Sequence, residues 1–522
     1  MTLRVAVVGS GLSGVACARA LIRRGLRPVM IDAGMGPGEA IEGAVARMRA
    51  SPPHEWDSAD AELIRRNPTL HGGGIPTKLA FGSDYIYAAD HPEAGIVGEG
   101  IEASTTLAKG GFSNAWGGAV LPAADCDLGE DWPLRSAALE PHYRAVHSWL
   151  PLSGADDSLS RQFPSHTKFA GALELPPQAR GLQRDLSTTA ASDGFVFGQA
   201  RLAVETAGAS ACRYCGLCLS GCVYGSIYSA AADVDRMVKE ATLEYRPGLI
   251  VLGISEAPGG VRLLLRDTKT GRAEELAFDR VFLAAGAINS TRLILGALSA
   301  FDEPVEFKDS QKFLFPIFRL AGQPIRRDHM NSLASLFIEM RLDALGGNWM
   351  HIQISPVSDF VMRRLRVDRS SVIGTALSPL LKRTVMAWAS LHSRHSASLM
   401  GTLRRRGEHA DFEFANANLE KGRRSVAIAA RAFARIAPRF RSLVVPQLAK
   451  LSAPGASNHL GGSLPMRARP SARLHSDLLG RAAGMQRTHV VDAAVMPSIP
   501  GTTMALVMMA NADRIATLAP LG

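Results

Sequence analysis

The sequence predicts an α/β fold: a Rossmann-like domain, parallel sheet plus β-meander, joined to a second, α+β domain. Three observations carry that prediction. An apolar strand, Leu3–Val8, runs straight into a glycine turn and a helix. Strand patterns recur at Leu249–Leu252 and Val261–Leu265, and the polar run Asp267–Gly271 is a hairpin turn. At 522 residues the chain exceeds one simple core, so two or more domains are expected.

The first unit reads as strand (Leu3–Val8), turn (Gly9–Gly14), helix (Leu12–Gly25) and strand (Pro28–Asp32), which is a βαβ start. Its turn spells G-x-G-x-x-G. Gly9 allows the tight turn, Gly11 lets a pyrophosphate approach the backbone, and Gly14 lets the helix pack on the strand. The helix N-terminus aims free N–H groups and the positive dipole end at the phosphates. Asp32 ends the second strand, placed to accept hydrogen bonds from the adenosine ribose. The motif alone does not separate NAD from FAD. Its position at the start of the chain, and the later meander, favour FAD.

Beyond this unit, residues 35–100 are broken by Pro and Gly, and residues 127–200 read as loop-rich. Arg280–Ala284 is a strand ending in Ala285-Gly286, which returns the chain to the parallel sheet. Residues 306–454 differ in character. Residues 455–522 regain glycine turns, a short strand at Thr488–Val491 and an apolar helix over about Thr503–Leu518. The expected FAD-binding domain is therefore discontinuous, 1–305 and 455–522, with insertions at 127–200 and 212–222. Residues 306–454 are expected to bind substrate.

Composition sets the class. With 47% hydrophobic and 20% charged residues the chain reads as soluble and globular rather than disordered. No apolar run reaches the roughly 18 residues of a membrane span, and the N-terminus lacks a signal-peptide pattern. A cytoplasmic location is expected. The net charge is +10, and residues 359–406 hold ten Lys and Arg against two Asp. Three readings of that segment stay open: a solvated helical face, a surface for anionic lipid at the membrane periphery, or a site for an anionic substrate. No recognition motif accompanies the charge, so nucleic acid is not an expected partner.

Five segments together resemble the glucose–methanol–choline (GMC) oxidoreductases. The first is the N-terminal glycine turn. The second is Gly110-Gly111-Phe112-Ser113-Asn114-Ala115-Trp116-Gly117-Gly118, like the family's glycine loop against the flavin. The third is Val281–Ser290, with its Ala284-Ala285-Gly286-Ala287 turn. The fourth is Ser457-Asn458-His459-Leu460-Gly461-Gly462, and the fifth is Val490–Pro497. Their order and spacing match the family. The resemblance implies FAD held by Gly9, Gly11, Gly14, Asp32, Gly111, Asn114, Gly117, Gly118, Ala285, Gly286, Asp492 and Ala493. It implies oxidation of a CH–OH group of an alcohol or sugar.

The resemblance also puts His459 at the flavin's reactive face. Oxidising an alcohol requires removal of the hydroxyl proton and transfer of a hydride, and a neutral histidine suits the first task. His475 and His489 are alternatives. Where the family carries a second His or Asn, this chain has Thr503, a poor base expected only to orient the substrate oxygen. Rival readings are an oxygen-using oxidase of the same fold, an electron-transfer flavoprotein without its own substrate, and a nicotinamide enzyme.

Four of the six cysteines form Cys212-x2-Cys215-x2-Cys218-x3-Cys222, the spacing of an iron–sulfur ligand run. Three readings remain: a [4Fe-4S] or [3Fe-4S] cluster, a structural zinc site, or plain buried or paired thiols. Some sugar dehydrogenases of the family resemble this pattern and carry a cluster. Some alcohol oxidases look similar without one. With a cluster, electrons pass to an acceptor protein and the enzyme is a dehydrogenase. That is the expected outcome. Without it, oxygen or a soluble acceptor reoxidises the flavin.

Overall fold

The computed structural model describes residues 3–66, 78–88, 91, 93–189, 191–192, 194–325, 330–357, 372–407 and 409–521. The Val5–Val8 strand is apolar at every position and buried throughout, as a strand covered on both faces must be. It pairs in parallel with Val29–Ile31 on one side and Arg280–Leu283 on the other. Glu244–Arg246 and Thr488–Val490 complete a five-stranded parallel sheet. The strand order reverses at the central strand. In such sheets the ligand crevice opens at that reversal, beyond the strands' carboxyl ends. The Gly9 turn and the Ala285-Gly286 turn both lie there.

The Leu12–Arg23 helix and the final Met504–Leu518 helix share one core with this sheet, the last helix being buried around almost its whole circumference. The predicted meander is present as Leu249–Ala257, Gly260–Asp267 and Ala273–Phe278. It buries Val261, Leu263 and Leu265 in the same core.

A larger antiparallel sheet faces this unit. Its strands include Lys312–Arg319, Thr384–Ser390, Trp349–Pro356 and Leu336–Arg341, in that spatial order, followed by Phe195–Gln199. One face is apolar: Phe313, Phe315, Ile352, Ile354, Ala387 and Ala389 pack in a core with Leu182 and Phe433, from the helices Pro177–Ser187 and Leu419–Ile436. The opposite face follows from the period-two alternation of side chains.

Residues 127–200 are loop-rich, and the loops connect the helices Ser136–His147 and Pro177–Ser187 and the strand Phe195–Gln199. Pro141 inside the first helix reads as a breaker, and the second buries Gln178 and Gly181 alongside its leucines, which blurs its apolar stripe. Phe195–Gln199 joins Leu336–Arg341, so this stretch contributes to the sheet of 306–454. The basic segment 359–406, for which three readings stay open, is built from several elements. Its part up to 371 lies outside the described residues. The remainder is a helix, Val372–Leu381, and two strands, Thr384–Ser390 and Ser398–Arg406. Arg404 and Arg406 are ion-paired with Asp302, Asp411 and Glu413. Among the described residues no helix is long and apolar enough to cross a membrane.

Candidate active site

A cavity of about 470 Å³ runs from the glycine turn to the larger sheet. The three glycines divide its construction as their chemistry dictates. Gly9 has φ +98°, and a Cβ there would lie 2.4 Å from the Ala284 carbonyl oxygen. A Cβ on Gly14 would lie 2.0 Å from the Gly9 oxygen. Both glycines serve close backbone packing. Gly11, which lines the cavity beside Gly9, differs: its Cβ would meet nothing within 4 Å. It is also the N-cap of the Leu12–Arg23 helix, so the helix's unpaired N–H groups face the cavity.

Asp32 lines the same end and is buried. Its carboxylate accepts hydrogen bonds from the Ser10 hydroxyl and, at 3.2 Å, from Tyr245. The Gly110 N–H donates to the Ser10 oxygen at 2.8 Å, which ties the second glycine loop to the first. Gly111 and Gly117 line the cavity, whereas Asn114 and Gly118 do not. The Asn114 amide is spent on its own loop, donating to the Lys109 and Gly111 carbonyls at 2.8 Å each. These bonds shape the loop. Ala285, Gly286, Asp492 and Ala493 all line the cavity. Gly286 caps a second helix, Ala287–Ala297, and Asp492 accepts from Ser290 at 2.5 Å and from the Ala494 N–H at 3.0 Å. Burial pushes both carboxyls, Asp32 and Asp492, up to about 6. The Ser13 hydroxyl and the Asn289 side-chain oxygen line the cavity, buried and without partners.

The far wall is the polar face of the large sheet. Lys312, Trp388, Ser390, His351, Gln353 and Ser355 project into the cavity, alternating with the core residues on the same strands. Lys312 pairs in register with Ser390, and Ser390 with His351. Sequence reasoning missed all six. The available signal was the alternation in Trp349–Pro356, where His351, Gln353 and Ser355 interleave with Met350, Ile352 and Ile354.

His459 stands on this wall too, on a loop held by Asp309. The Asp309 carboxylate accepts from the Ser457 hydroxyl and from the Gly455 N–H. The His459 ring makes no hydrogen bond to a described residue, and its Nδ1 is buried without a partner. Burial, then the Lys312 ammonium and His351, hold its pKa well below the usual histidine value. Lys312 is itself pushed down to about 8 by burial. Thr503 lines the cavity, but its hydroxyl accepts from the Leu121 N–H at 2.7 Å and faces the Leu121 carbonyl at 3.4 Å. These bonds strap the start of the last helix to residue 121. His475 and His489 do not line the cavity.

Cys212, Cys215, Cys218 and Cys222 converge around one narrow cavity of about 10 Å³. All are free thiols. Burial raises Cys212 and Cys215 to about 12 and Cys218 above its usual value, so these sulfurs hold their protons. The Cys218 thiol donates to Asn331 at 3.3 Å, and the Cys222 sulfur accepts from the Ser226 N–H at 3.2 Å. Among the described residues no three or more His, Cys, Asp or Glu side chains are arranged to hold a metal ion. As placed, the four cysteines do not form such a ligand set.

Neither a family model nor a curated protein matches the sequence. Among solved structures, pyridoxine 4-oxidase from Mesorbium loti is similar, with a TM-score of 0.60 at 14% identity. The likeness covers 99% of this chain and 98% of that one. At that identity the likeness is one of fold. Over essentially its whole length, the chain shares the fold of that structure.

Proposed function

We propose that the chain is an FAD-dependent oxidoreductase that oxidises a CH–OH group. The observation that carries this reading is the single cavity that joins a dinucleotide turn at one end to His459 at the other. The residues fit the cofactor: two helix N-termini for the pyrophosphate, an open approach over Gly11, a carboxylate at Asp32 for the ribose, and unpartnered polar atoms on Ser13 and Asn289. Bound FAD supplies the hydride acceptor. The chain's own residues bind and orient the alcohol. Gln353, Ser355, Ser390 and Lys312 offer hydrogen bonds to a hydroxylated molecule, and Trp388 offers an apolar face. His459, neutral at working pH, meets the reacting oxygen. The substrate class is a small polar alcohol, such as a sugar or a hydroxymethyl-bearing ring.

Because the cysteines do not form a cluster site as placed, oxygen or a small soluble acceptor is the favoured means of reoxidation over an acceptor protein. Anaerobic purification followed by a bleaching screen of alcohols and sugars, pyridoxine included, tests the proposal. The expected result is a yellow protein with one flavin, bleached by at least one alcohol, forming peroxide in air and lacking stoichiometric iron. A stable flavin that no alcohol bleaches would identify an electron-transfer flavoprotein. Stoichiometric iron and acid-labile sulfide would restore the cluster and the acceptor protein.

The Asp32 carboxyl gives a pH test of cofactor binding. Only its ionised form accepts from the ribose hydroxyls without giving up a hydrogen bond, and that form predominates above about 6. FAD affinity should therefore fall as pH drops through that value. Asp32→Asn should weaken binding about 10- to 100-fold, the worth of a hydrogen bond to a charged group, and should flatten the pH dependence. Flavin fluorescence released on dilution measures both.

A further inference from the structure

Proposed catalysis leaves one buried pair unused. His351 is 2% exposed and Glu339 fully buried, on neighbouring strands in direct register. The His351 Nδ1 lies 2.5 Å from a Glu339 carboxylate oxygen. A carboxylate only accepts, so the ring donates from Nδ1, which leaves Nε2 as a lone-pair acceptor. That Nε2 is buried and has no partner, and His351 lines the same cavity as His459. A buried unpartnered ring nitrogen costs free energy unless something in the cavity satisfies it.

We propose that His351, positioned by Glu339, is the proton acceptor for alcohol oxidation, and that His459 serves as its neutral hydrogen-bonding partner on the substrate oxygen. The inference rests on the reading of the chain as a flavin-dependent alcohol oxidoreductase. In the step, the substrate O–H bond breaks and its proton goes to His351 Nε2. The carbinol C–H bond breaks and leaves as hydride, with the bound flavin as oxidant. The C=O bond forms. The positive charge arising on His351 is balanced by Glu339, as in other carboxylate–histidine pairs.

Geometry separates the two imidazoles. His351 has a carboxylate on its far side. His459 has none, and it sits beside Lys312, whose ammonium opposes a second positive charge. The titratable and charged groups around the pair are Lys312 and His459 on the same wall of the cavity, with Arg201 and Asp127 beside Glu339. Lys312 makes no hydrogen bond to a described residue and lines the cavity. In this arrangement it faces the substrate oxygen and favours its deprotonated form. Glu339 touches no substrate and is a positioning residue.

The test compares His351→Gln, Glu339→Gln and His459→Gln holoenzymes in anaerobic single turnovers. The probe is the alcohol that reduces the wild-type flavin fastest, pyridoxine being tried first. His351→Gln should slow flavin reduction about 10²- to 10⁴-fold. Its rate should then rise with pH without a plateau, because hydroxide replaces the missing acceptor. Glu339→Gln should lower the rate less and shift the pH profile. His459→Gln should lower the rate with the profile's shape retained. Proton NMR of the resting holoenzyme provides a readout without turnover. A far-downfield imidazole resonance is expected in wild type and His459→Gln, and should be missing in His351→Gln and Glu339→Gln. A wild-type flavin that no alcohol reduces would defeat the functional reading. A reducible wild type matched by an equally fast His351→Gln, or the absence of that resonance from wild type, would overturn the His351 assignment.

Discussion

Replacing His459 with alanine should leave FAD bound and slow substrate-driven flavin reduction by about 10²- to 10³-fold, the worth of one preorganised hydrogen-bonding group at the reacting oxygen. The structural argument begins with what the ring does not do. It makes no hydrogen bond to a described residue, and its buried Nδ1 has no partner. Removing it therefore breaks no side-chain hydrogen bond of the fold. The loop that carries it is held independently: Asp309 accepts from Gly455 and Ser457, and the Ser457 hydroxyl accepts from the His459 N–H at 2.8 Å. Those bonds survive the substitution. The flavin-holding residues lie elsewhere along the cavity, so the bound-flavin spectrum should persist.

The sign of any pH effect follows from the environment of the ring. Burial and the Lys312 ammonium keep His459 neutral down to well below the usual histidine range. Its contribution is therefore present throughout the working range, and the alanine variant should be slow at every pH near neutrality. Anaerobic stopped-flow reduction checks this. An unchanged rate with flavin bound would remove His459 from the reacting centre.

The flavin end of the molecule was readable because its chemistry is local. A glycine turn between a strand and a helix announces itself within ten residues, and Gly9, Gly11 and Gly14 each have the environment their positions required. Asn114 shows what a local pattern leaves open: a side-chain amide in a glycine loop can serve a ligand or the loop, and here both amide hydrogens go to the loop's own carbonyls. Thr503 is similar. Its hydroxyl is satisfied by Leu121, a residue 382 positions earlier in sequence, and no local pattern reveals such a partner.

The substrate end was illegible because it is assembled by register. Lys312, Ser390, His351 and Glu339 come from four separate strands and form one row only through pairing. The alternation within Trp349–Pro356 shows that one face is polar. It does not show which strand lies opposite or that the face looks toward the flavin cavity. The helices within residues 127–200 were unread for another reason. Pro141 lies inside a helix that tertiary packing holds, with Leu139, Tyr143 and Val146 buried around it.

The same distinction between packing and ligand approach yields the second large effect. Gly11→Leu should fold but bind no FAD. The Gly11 backbone, at φ −68° and ψ −175°, is available to any residue, and a Cβ there meets nothing within 4 Å. Apart from the helix N-cap preference, the apo-protein has no reason to lose stability. The leucine side chain would occupy the approach that the pyrophosphate needs, so affinity should fall by more than about 100-fold, beyond the worth of a single charged hydrogen bond. Gly14→Ala is the control. Its Cβ would lie 2.0 Å from the Gly9 oxygen, inside any tolerable contact, so the strand–helix junction itself must shift and the folded protein should be lost. Thermal unfolding of the apo-proteins and bound-flavin absorbance separate the outcomes. A folded Gly11→Leu protein that still purified yellow would mean that the dinucleotide does not cross this turn, and the assignment of the whole cavity to FAD would fall with it.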